Sequence, residues 1–244
     1  MFDLSIVIAA YNEEKRLPGT LDRMINFFKS SAVRYEVVLV NDGSTDNTLM
    51  LFEQYAARYP FIKTITHTPN RGRGFAIRKG VLATSGDVVL ETDADGSVAE
   101  EAILRFLNYL KTHSDIDAVF GSRELNSSRI AKHQPFLRVF LGYGFIYIAR
   151  LLLWSWNTTD FTLGFKMFRQ AAASDIFSHQ FDNHYVAEAE IVYVAKRRGW
   201  KTAELPVVWS DNRDSRVHPL RDSLRSLIGL LHLHKNIFRG KYKR

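Results

Sequence analysis

The strongest constraint on the fold is a repeated alternation between short β-rich runs and helical segments along the first half of the chain. Strands are predicted at 4–9, 35–40, 62–66, 87–92 and 118–121. Apolar residues at helical spacing predict helices at 13–28, from Ser44 or Asp46 onward, at 74–84 and at 100–110. Strands and helices alternating in this way predict an α/β fold, a mainly parallel Rossmann-like sheet with helices on both faces.

Length and composition are those of an ordinary globular protein. A chain of 244 residues, 46% hydrophobic and 24% charged, is long enough to bury a full core. We expect one domain over residues 1–218 and a basic helix over 219–244. The absence of cysteine excludes disulfides and thiolate metal sites and is compatible with the cytoplasm. No signal peptide is predicted, because no basic leader followed by an apolar core stands at the start.

The net charge of +7 is concentrated in the C-terminal part of the chain. Residues 196–244 contain 13 Lys and Arg against 4 Asp and Glu, or +9, whereas residues 1–195 contain 20 against 22, or −2. Such a basic region can bind anionic lipid or nucleic acid, or can simply be solvated. Nucleic acid is the less favoured partner, because no aromatic stacking platform is interleaved with these charges.

The predicted strand at 87–92 ends in two aspartates, Asp93 and Asp95. Ligands of open α/β sheets collect beyond the carboxyl ends of the strands, so these side chains are expected at the edge of a site. Residues two apart in extended chain project to the same side, which lets both carboxylates face one divalent cation that also holds phosphate oxygens. The alternative is a solvated turn.

Three further polar stretches are expected at the same sheet edge. Residues 11–13 (YNE) follow the first strand and residues 41–44 (NDGS) follow the second. A tyrosine ring can stack on a nucleobase, and a carboxylate can accept hydrogen bonds from one. Residues 70–74 (NRGRG) precede a helix and combine cations with close backbone approach, which suits phosphate. Each stretch alone is also compatible with ordinary turn chemistry.

Residues 135–156 are the most apolar part of the chain. Between Arg138 and Arg150 lie eleven uncharged residues, which rise roughly 16 Å as a helix, too short to span a bilayer. This stretch is either a buried helix pair or a surface that dips into one leaflet, and its aromatic residues suit a headgroup boundary.

The stretch from Pro219 onward predicts a basic amphipathic helix. Its apolar residues share one face, and they are Leu220, Leu224, Leu227, Ile228, Leu231 and Phe238. The helix either packs on the flank of the sheet or lies on an anionic membrane.

Six ordered motifs resemble the inverting GT-A glycosyltransferases, in the branch that transfers a sugar from a nucleotide to dolichyl or another polyprenyl phosphate. The motifs are 5–14 (SIVIAAYNEE), 40–46 (VNDGSTD), 70–74 (NRGRG), 93–96 (DADG), 121–123 (GSR) and 164–169 (GFKMFR). The DADG motif is similar to that of dolichyl-phosphate glucosyltransferases, whereas the mannosyl enzymes carry a metal-ligating glutamine at the position of Ser97. The likeness runs from Leu4 to about Val217.

The resemblance implies roles for individual residues. Asp93 and Asp95 would bind Mg²⁺ or Mn²⁺, a Lewis acid that stabilises the leaving nucleoside diphosphate. Catalytic roles would fall to Asp95, Arg123 and Glu188. The donor-binding residues would be Ala9, Tyr11, Glu13, Val40, Asp42, Arg73, Asp93, Ala94, Lys166 and Arg216, with the basic positions serving donor or acceptor phosphate.

The implied chemistry needs no strong base. A phosphate acceptor is already ionised near neutral pH, so attack on the anomeric carbon chiefly requires alignment and charge neutralisation. Glu188 would then orient the acceptor rather than deprotonate it, whereas a hydroxyl acceptor would need a general base. A purely structural alternative pairs Glu188 with Lys196 or Arg197.

The sequence therefore predicts a metal-dependent glycosyltransferase that moves a hexose, with glucose from UDP-glucose favoured, to dolichyl or polyprenyl phosphate. It is expected in the cytoplasm, held peripherally at the cytoplasmic face of a membrane, with no nucleic-acid partner. The alternatives are a GDP-mannose-dependent polyprenyl-phosphate mannosyltransferase, a soluble transferase acting on a saccharide hydroxyl, and a basic nucleic-acid-binding module.

Overall fold

The structure, a computed structural model, describes residues 2–132, 136–184, 186–210 and 219–242. Its strands are β1 (Leu4–Ala10), β2 (Tyr35–Asp42), β3 (Ile62–His67), β4 (Val88–Asp93), β5 (Ala118–Ser122), β6 (Arg129–Lys132), β7 (Phe165–Arg169), β8 (Thr202–Pro206) and β9 (Val208–Ser210). Its helices are α1 (Leu17–Phe28), α2 (Thr48–Arg58), α3 (Arg73–Val81), α4 (Glu101–Thr112), α5 (Phe136–Leu152), α6 (Gln170–Ser178), α7 (Ala187–Arg197) and α8 (Pro219–Phe238).

The main sheet has seven strands in the order β3-β2-β1-β4-β7-β5-β8. β1 pairs in parallel with β2 and β4, and β5 pairs in parallel with β8. β7 is antiparallel to both of its neighbours, β4 and β5. The predicted mainly parallel α/β sheet is confirmed, and the antiparallel strand inserted between β4 and β5 is an addition that the sequence pattern did not predict.

Side chains alternate across the central strand and form two apolar layers. Ile6 and Ile8 of β1 point to one face and pack with the layer formed by α1, α2 and α4. Val7 points to the other face, where α3, α6 and α7 cover the sheet. Both faces are therefore buried, which is why β1, β2 and β4 appear in the sequence as continuous apolar runs.

Helix boundaries differ from the predicted ones by a few residues. α1 begins at Leu17 rather than at Glu13, with a proline in its first turn. α2 begins at Thr48, whose backbone N–H donates to the Asp46 carboxylate at 3.0 Å. Asp46 therefore satisfies one of the free N–H groups at the start of this helix, as expected of an aspartate near a helix N-terminus.

The apolar stretch near 135–156 forms a single helix, α5, rather than a helix pair. No helix in the described ranges is long and apolar enough to cross a membrane. α5 packs against α8, where Nδ1 of His234 lies 2.8 Å from the carbonyl oxygen of Leu152. Ile146 and Ala149 of α5 are buried in the core together with Leu230 of α8. The division into a domain over 1–218 and an appendage over 219–244 stays a prediction.

Candidate active site

The carboxyl ends of β1, β2 and β4 meet at one edge of the sheet, as the sequence predicts. Ala9 lies in register with Val40 of β2 on one side and with Asp93 of β4 on the other. Ala94, the next residue, is buried. This edge gathers the predicted nucleoside-binding and metal-binding residues, and it is where ligands bind in open α/β sheets.

The loops after β1 and β2 are joined by hydrogen bonds. The Asn12 side-chain oxygen accepts from the backbone N–H of Thr45 at 2.7 Å and of Asp46 at 3.3 Å, and Asn12 has a positive φ of 57°. Tyr11 beside it has a side chain 41% exposed at the sheet edge. The Glu13 carboxylate accepts from Nε of Arg16 at 2.6 Å. The direct contacts predicted between these residues and a nucleoside stay predictions.

Asp42 fixes the loop that leads into α3. Its buried carboxylate accepts from the backbone N–H groups of Arg71 at 2.8 Å and Gly72 at 2.9 Å. It also accepts from Nδ2 of Asn70 at 2.9 Å and lies 2.7 Å from Nε2 of His67. Each carboxylate oxygen thus has two partners within the chain, so Asp42 acts in this arrangement by holding the loop that carries Arg73.

Arg73 is the central cation of the site. Its Nε and Nη2 atoms each lie 2.9 Å from Oδ1 of Asp93, and its Nη1 contacts Oε1 of Glu188. The carboxylate of Glu188 is also contacted by Nζ of Lys166, which is fully buried and also donates to the carbonyl oxygen of Leu163 at 2.6 Å. Arg73 therefore connects the predicted metal ligand Asp93 to Glu188, and Glu188 in turn connects Lys166 to Arg73.

Asp95 is oriented by Ser97. Oδ1 of Asp95 accepts from the backbone N–H of Ser97 at 3.0 Å and from its hydroxyl at 2.7 Å, and Oδ2 lies 3.8 Å from Nη1 of Arg16. Burial and the neighbouring charge of Asp95 raise the pKa of Asp93 above its ordinary value, although Arg73 opposes this. Two carboxylates close enough to repel one another are a suitable pair for a cation.

The carboxylates of Asp93 and Asp95 would suit a magnesium or manganese ion whose remaining ligands come from substrate phosphate. No three acidic, histidine or cysteine side chains gather into a metal site in the parts of the chain that the structure describes. Mg²⁺ is commonly held by one or two carboxylates together with phosphate oxygens rather than by a complete protein cage. Asp93 and Asp95 are the residues that would hold it, and the ion would supply Lewis-acid stabilisation of the departing diphosphate.

Sequence reasoning missed Glu91, a buried carboxyl behind this site. Glu91 lies in register with Lys166 across β4 and β7, with its Oε1 3.9 Å from the lysine Nζ. Burial, together with the charge of Glu188, raises the pKa of Glu91 well above its ordinary value, which favours the neutral acid. The sequence did contain an indication of this buried carboxyl, because a glutamate stands inside the otherwise apolar run at 88–92.

Glu188 has the opposite electrostatic environment. Burial would raise its pKa, but the charges of Arg73 and Lys166 outweigh burial and place the pKa below its ordinary value. Glu188 is therefore an ionised, firmly paired carboxylate and a weak base. The alternative pairing of Glu188 with Lys196 or Arg197 is not what the structure shows, because the contacts are with Arg73 and Lys166.

Arg123 stands directly after β5. Its Nε and Nη2 atoms donate to the two oxygens of the Asp160 carboxylate at 2.8 and 3.0 Å, and Nη2 also donates to the Thr162 hydroxyl at 2.6 Å. Its guanidinium carbon lies 5.4 Å from the ring centroid of Trp209. Arg123 is thereby fixed as a cation beside the site. Arg216, the other basic residue predicted here, lies outside the described residues.

Asp160 is expected to make stability depend on pH in the acid range. Burial would raise its pKa, but Arg123 and the backbone N–H of Thr162 lower the pKa to about 2. Since the folded pKa lies below the unfolded value near 4, the stabilisation is present above about pH 4 and is lost as pH falls towards 2. Asp160→Asn should lower the free energy of unfolding by about 2 kcal/mol at neutral pH. Urea unfolding from pH 7 to pH 3 tests this, and a difference from wild type that stays constant down to pH 3 would contradict it.

Another buried carboxylate, Glu190, supports the loop beside Arg73. It accepts from the backbone N–H groups of Phe181 at 2.9 Å and Asp182 at 2.6 Å and from the hydroxyl of Tyr242. In the same loop, the carbonyl oxygen of Asn183 accepts a hydrogen bond from the backbone N–H of Gly74 at 2.9 Å. The sequence analysis missed this link because Glu190 and Tyr242 lie 52 residues apart.

Comparisons with known proteins point to one family. The sequence model of Glycosyl transferase family 2 matches residues 5–177. A dolichyl-phosphate beta-glucosyltransferase from Trichomonas vaginalis is 36% identical over 222 residues, covering 88% of this chain and 68% of the relative. The dolichyl-phosphate beta-glucosyltransferase of Homo sapiens is 31% identical over 251 residues, covering 98% of this chain and 77% of the relative.

Solved structures confirm the predicted GT-A fold. Glucosyl-3-phosphoglycerate synthase from Mycobacterium tuberculosis, crystallised with Mn²⁺ and uridine-diphosphate-glucose, has a TM-score of 0.69 at 17% identity and covers 96% of this chain and 79% of its own. Mannosyl-3-phosphoglycerate synthase from Rubrobacter xylanophilus has a TM-score of 0.70 at 14% identity. The match covers 98% of this chain and 76% of that protein. The family match and these relatives show that this chain is a glycosyltransferase belonging to glycosyl transferase family 2.

Proposed function

We propose that this glycosyltransferase moves glucose from UDP-glucose to the phosphate of dolichyl or another polyprenyl phosphate, with inversion at the anomeric carbon and with Mg²⁺ or Mn²⁺ as cofactor. A phosphate oxygen of the acceptor forms the new bond to the anomeric carbon as the bond from that carbon to UDP breaks. The observation that carries the proposal is the firm pairing of Glu188 with Arg73 and Lys166. A carboxylate held by two cations is poorly suited to deprotonate a hydroxyl, and an ionised phosphate needs no such base.

The relatives support the sugar and the acceptor. The proteins of Trichomonas vaginalis and Homo sapiens are named dolichyl-phosphate beta-glucosyltransferases, and they align with 88% and 98% of this chain. Arg123, fixed by Asp160 beside the sheet edge, is the cation that we assign to the acceptor phosphate. Asp93 and Asp95 are assigned to the metal, and Tyr11 to the nucleoside.

A lipid acceptor lies in a membrane, so the enzyme must reach it at the membrane surface. We propose that the chain associates peripherally with the cytoplasmic face of a membrane. The cysteine-free sequence is compatible with that compartment. The excess of positive charge from Lys196 onward favours contact with anionic headgroups. Nucleic acid is not assigned as a partner.

A matrix of donors and acceptors tests the proposal. UDP-glucose, UDP-GlcNAc and GDP-mannose would each be supplied with a short-chain polyprenyl phosphate, with Mn²⁺ or with a chelator. We expect transfer from UDP-glucose that depends on the metal. Transfer from GDP-mannose alone would instead establish a mannosyltransferase, and efficient transfer to a water-soluble saccharide would establish a hydroxyl acceptor.

Glu188→Gln separates the two acceptor classes. The variant removes the charge shared by Arg73 and Lys166, so we expect the rate with polyprenyl phosphate to fall by about 10- to 100-fold through loss of alignment. Glu91→Gln is the matched control, because Glu91 favours its neutral form and its amide replacement should change the rate less than about threefold. Initial rates of both variants give the answer, and a collapse of Glu188→Gln to background would point to hydroxyl activation.

A further inference from the structure

α5 carries apolar side chains on two sides, and only one side is buried. Ile146 and Ala149 point into the core. Tyr143, Tyr147 and Leu151 follow each other at intervals of four residues and are each more than half exposed. Residues four apart share one face of a helix, so these three form a stripe on the outer side of α5. A helix that only closed the core would not need this second apolar face.

α8 repeats the same arrangement. Leu230 and Leu233 are buried against the core. Leu224, Ile228 and Leu231, spaced by four and three residues, are about half exposed on the opposite side. Their spacing places them on one outer stripe of α8. The two neighbouring helices therefore both expose apolar residues while burying others.

Aromatic side chains join the two stripes. Trp154 and Trp156 follow α5 and are each about half exposed. The ring of Trp154 lies 6.1 Å from that of Phe238, which is 70% exposed on α8. The ring of Trp156 lies 6.5 Å from that of Tyr147. We call the exposed apolar residues of 143–156 and 224–238 the aromatic ridge.

The charges within the two segments that carry the aromatic ridge are mainly positive, and Glu124 is an acidic neighbour from outside them that hydrogen-bonds Tyr143. Residues 141–156 and 221–242 contain six Lys and Arg and one acidic residue, Asp222, which gives a net charge of +5 with histidine neutral. Asp222 is buried and lies 3.7 Å from Arg225, so it adds no exposed negative charge. Exposed tyrosine and tryptophan rings bordered by cations are the composition that suits the headgroup layer of an anionic bilayer.

The aromatic ridge is also close in sequence to the acceptor side of the active site. Arg150 of α5 donates from Nε to the Thr158 carbonyl at 2.8 Å, which fixes the turn after Trp154. Two residues later stands Asp160, whose carboxylate holds Arg123. The backbone that leaves the ridge therefore leads within a few residues to the cation assigned to the acceptor phosphate.

We propose that the aromatic ridge is the membrane-contact face and that it lies in the headgroup layer of an anionic bilayer. The inference deepens the proposed function and rests on it for the lipid nature of the acceptor. Docked in this way, the chain receives the acceptor phosphate at the bilayer surface, near Arg123, while the acceptor's hydrocarbon chain stays among the lipids. Positive charge brings the chain to the surface, and the rings and leucines hold it there.

Vesicle flotation tests the proposal. The full chain is mixed with phosphatidylcholine vesicles with and without phosphatidylserine, and a triple variant with Tyr147→Ser, Trp154→Ser and Phe238→Ser is compared with it. The matched control is a double variant with Met50→Ser and Leu82→Ser, two exposed apolar side chains outside the ridge. We expect wild type and control to float with the anionic vesicles and the triple variant to lose at least about tenfold in binding. Equal flotation of the triple variant, or no flotation of wild type, overturns the proposal.

Two further measurements keep the outcomes separate. Sedimentation without lipid tests whether the ridge pairs two copies of the chain, and a wild-type dimer that the triple variant dissociates, without vesicle binding, overturns the membrane assignment. Transfer to a short-chain polyprenyl phosphate in solution should be unchanged in the triple variant, whereas transfer to acceptor embedded in vesicles should fall at least about tenfold. If wild type transfers sugar to no polyprenyl phosphate, the proposed function fails, and flotation still decides the role of the ridge.

Discussion

Asp95→Asn is expected to reduce transfer by about 10³-fold, which corresponds to about 4 kcal/mol of lost transition-state stabilisation. The amide can still accept the backbone N–H of Ser97, which lies 3.0 Å from Oδ1 in the wild-type chain, so the turn should keep its shape. What disappears is the negative charge that the cation needs. Initial rates across a Mn²⁺ titration measure the effect, and excess metal should not restore the wild-type rate.

Asp115→Asn is the matched control for this prediction. Asp115 is well exposed and has one weak ion pair, 3.9 Å from Nζ of Lys201. Its amide variant should transfer sugar at the wild-type rate, and both variants should keep the wild-type urea midpoint. An Asp95→Asn enzyme with unchanged rate and unchanged metal dependence would refute the assignment of Asp95 as a ligand.

Gly164→Ala is expected to lower the rate at least about 100-fold while leaving the fold intact. A methyl group at this position would stand 2.7 and 2.8 Å from the two carboxylate oxygens of Asp93 and closer still to Nη2 of Arg73. These are the ends of side chains, so they can move aside without disturbing the sheet. Displacing the metal ligand and its partner by about 1 Å is enough for a loss of this size.

Gly142→Ala is the control, because a methyl group there meets no heavy atom within 4 Å. This change in α5 should leave the rate unchanged and stabilise the helix by up to about 1 kcal/mol. Kinetics and urea unfolding of both alanine variants decide the matter. Wild-type kinetics for Gly164→Ala would show that the tight approach of residue 164 to Asp93 has no role in transfer.

The sheet edge was predictable because its signals are local. Continuous apolar runs identify β1, β2 and β4, and the polar residues that end them must meet where parallel strands end. Asp93 and Asp95 follow from that rule alone. The six motifs then supplied roles that spacing could not, since an Asp-x-Asp doublet taken alone is more often a solvated turn.

The interior of the site could not be predicted, because it depends on a long-range pairing. β7 is a short run in which Lys166 stands among Phe165, Met167 and Phe168, and nothing local shows that it enters the sheet beside β4. Once it does, Lys166 faces Glu91 and reaches Glu188, so three ionisable groups are buried together. In this arrangement the pKa of Glu91 is raised and the pKa of Glu188 is lowered. Glu188 is therefore the ionised glutamate of the two.

Helical periodicity could not decide the fate of the apolar stretch at 135–156. A helix with apolar residues on both sides fits a core position and a lipid surface equally well. In the structure one side of α5 is buried in the core and the other is exposed, so burial accounts for one side, and the lipid-surface interpretation of the other side stays a prediction. α5 also packs against α8, and no local sequence pattern predicts that contact. Local periodicity therefore could not tell the buried face of α5 from its exposed face.

The antiparallel direction of β7 also bears on how substrate preference can change. Phe165 at the start of β7 lies opposite Thr92 near the end of β4. The segment that precedes β7 therefore lies beside Asp93, at the carboxyl end of β4. The residues that we assign to the metal and the nucleoside come from the chain before residue 96, whereas Arg123, which we assign to the acceptor phosphate, comes from the chain after residue 120. A chimaera that exchanges residues 155–163 between relatives should therefore inherit the acceptor preference of one parent and the nucleotide preference of the other.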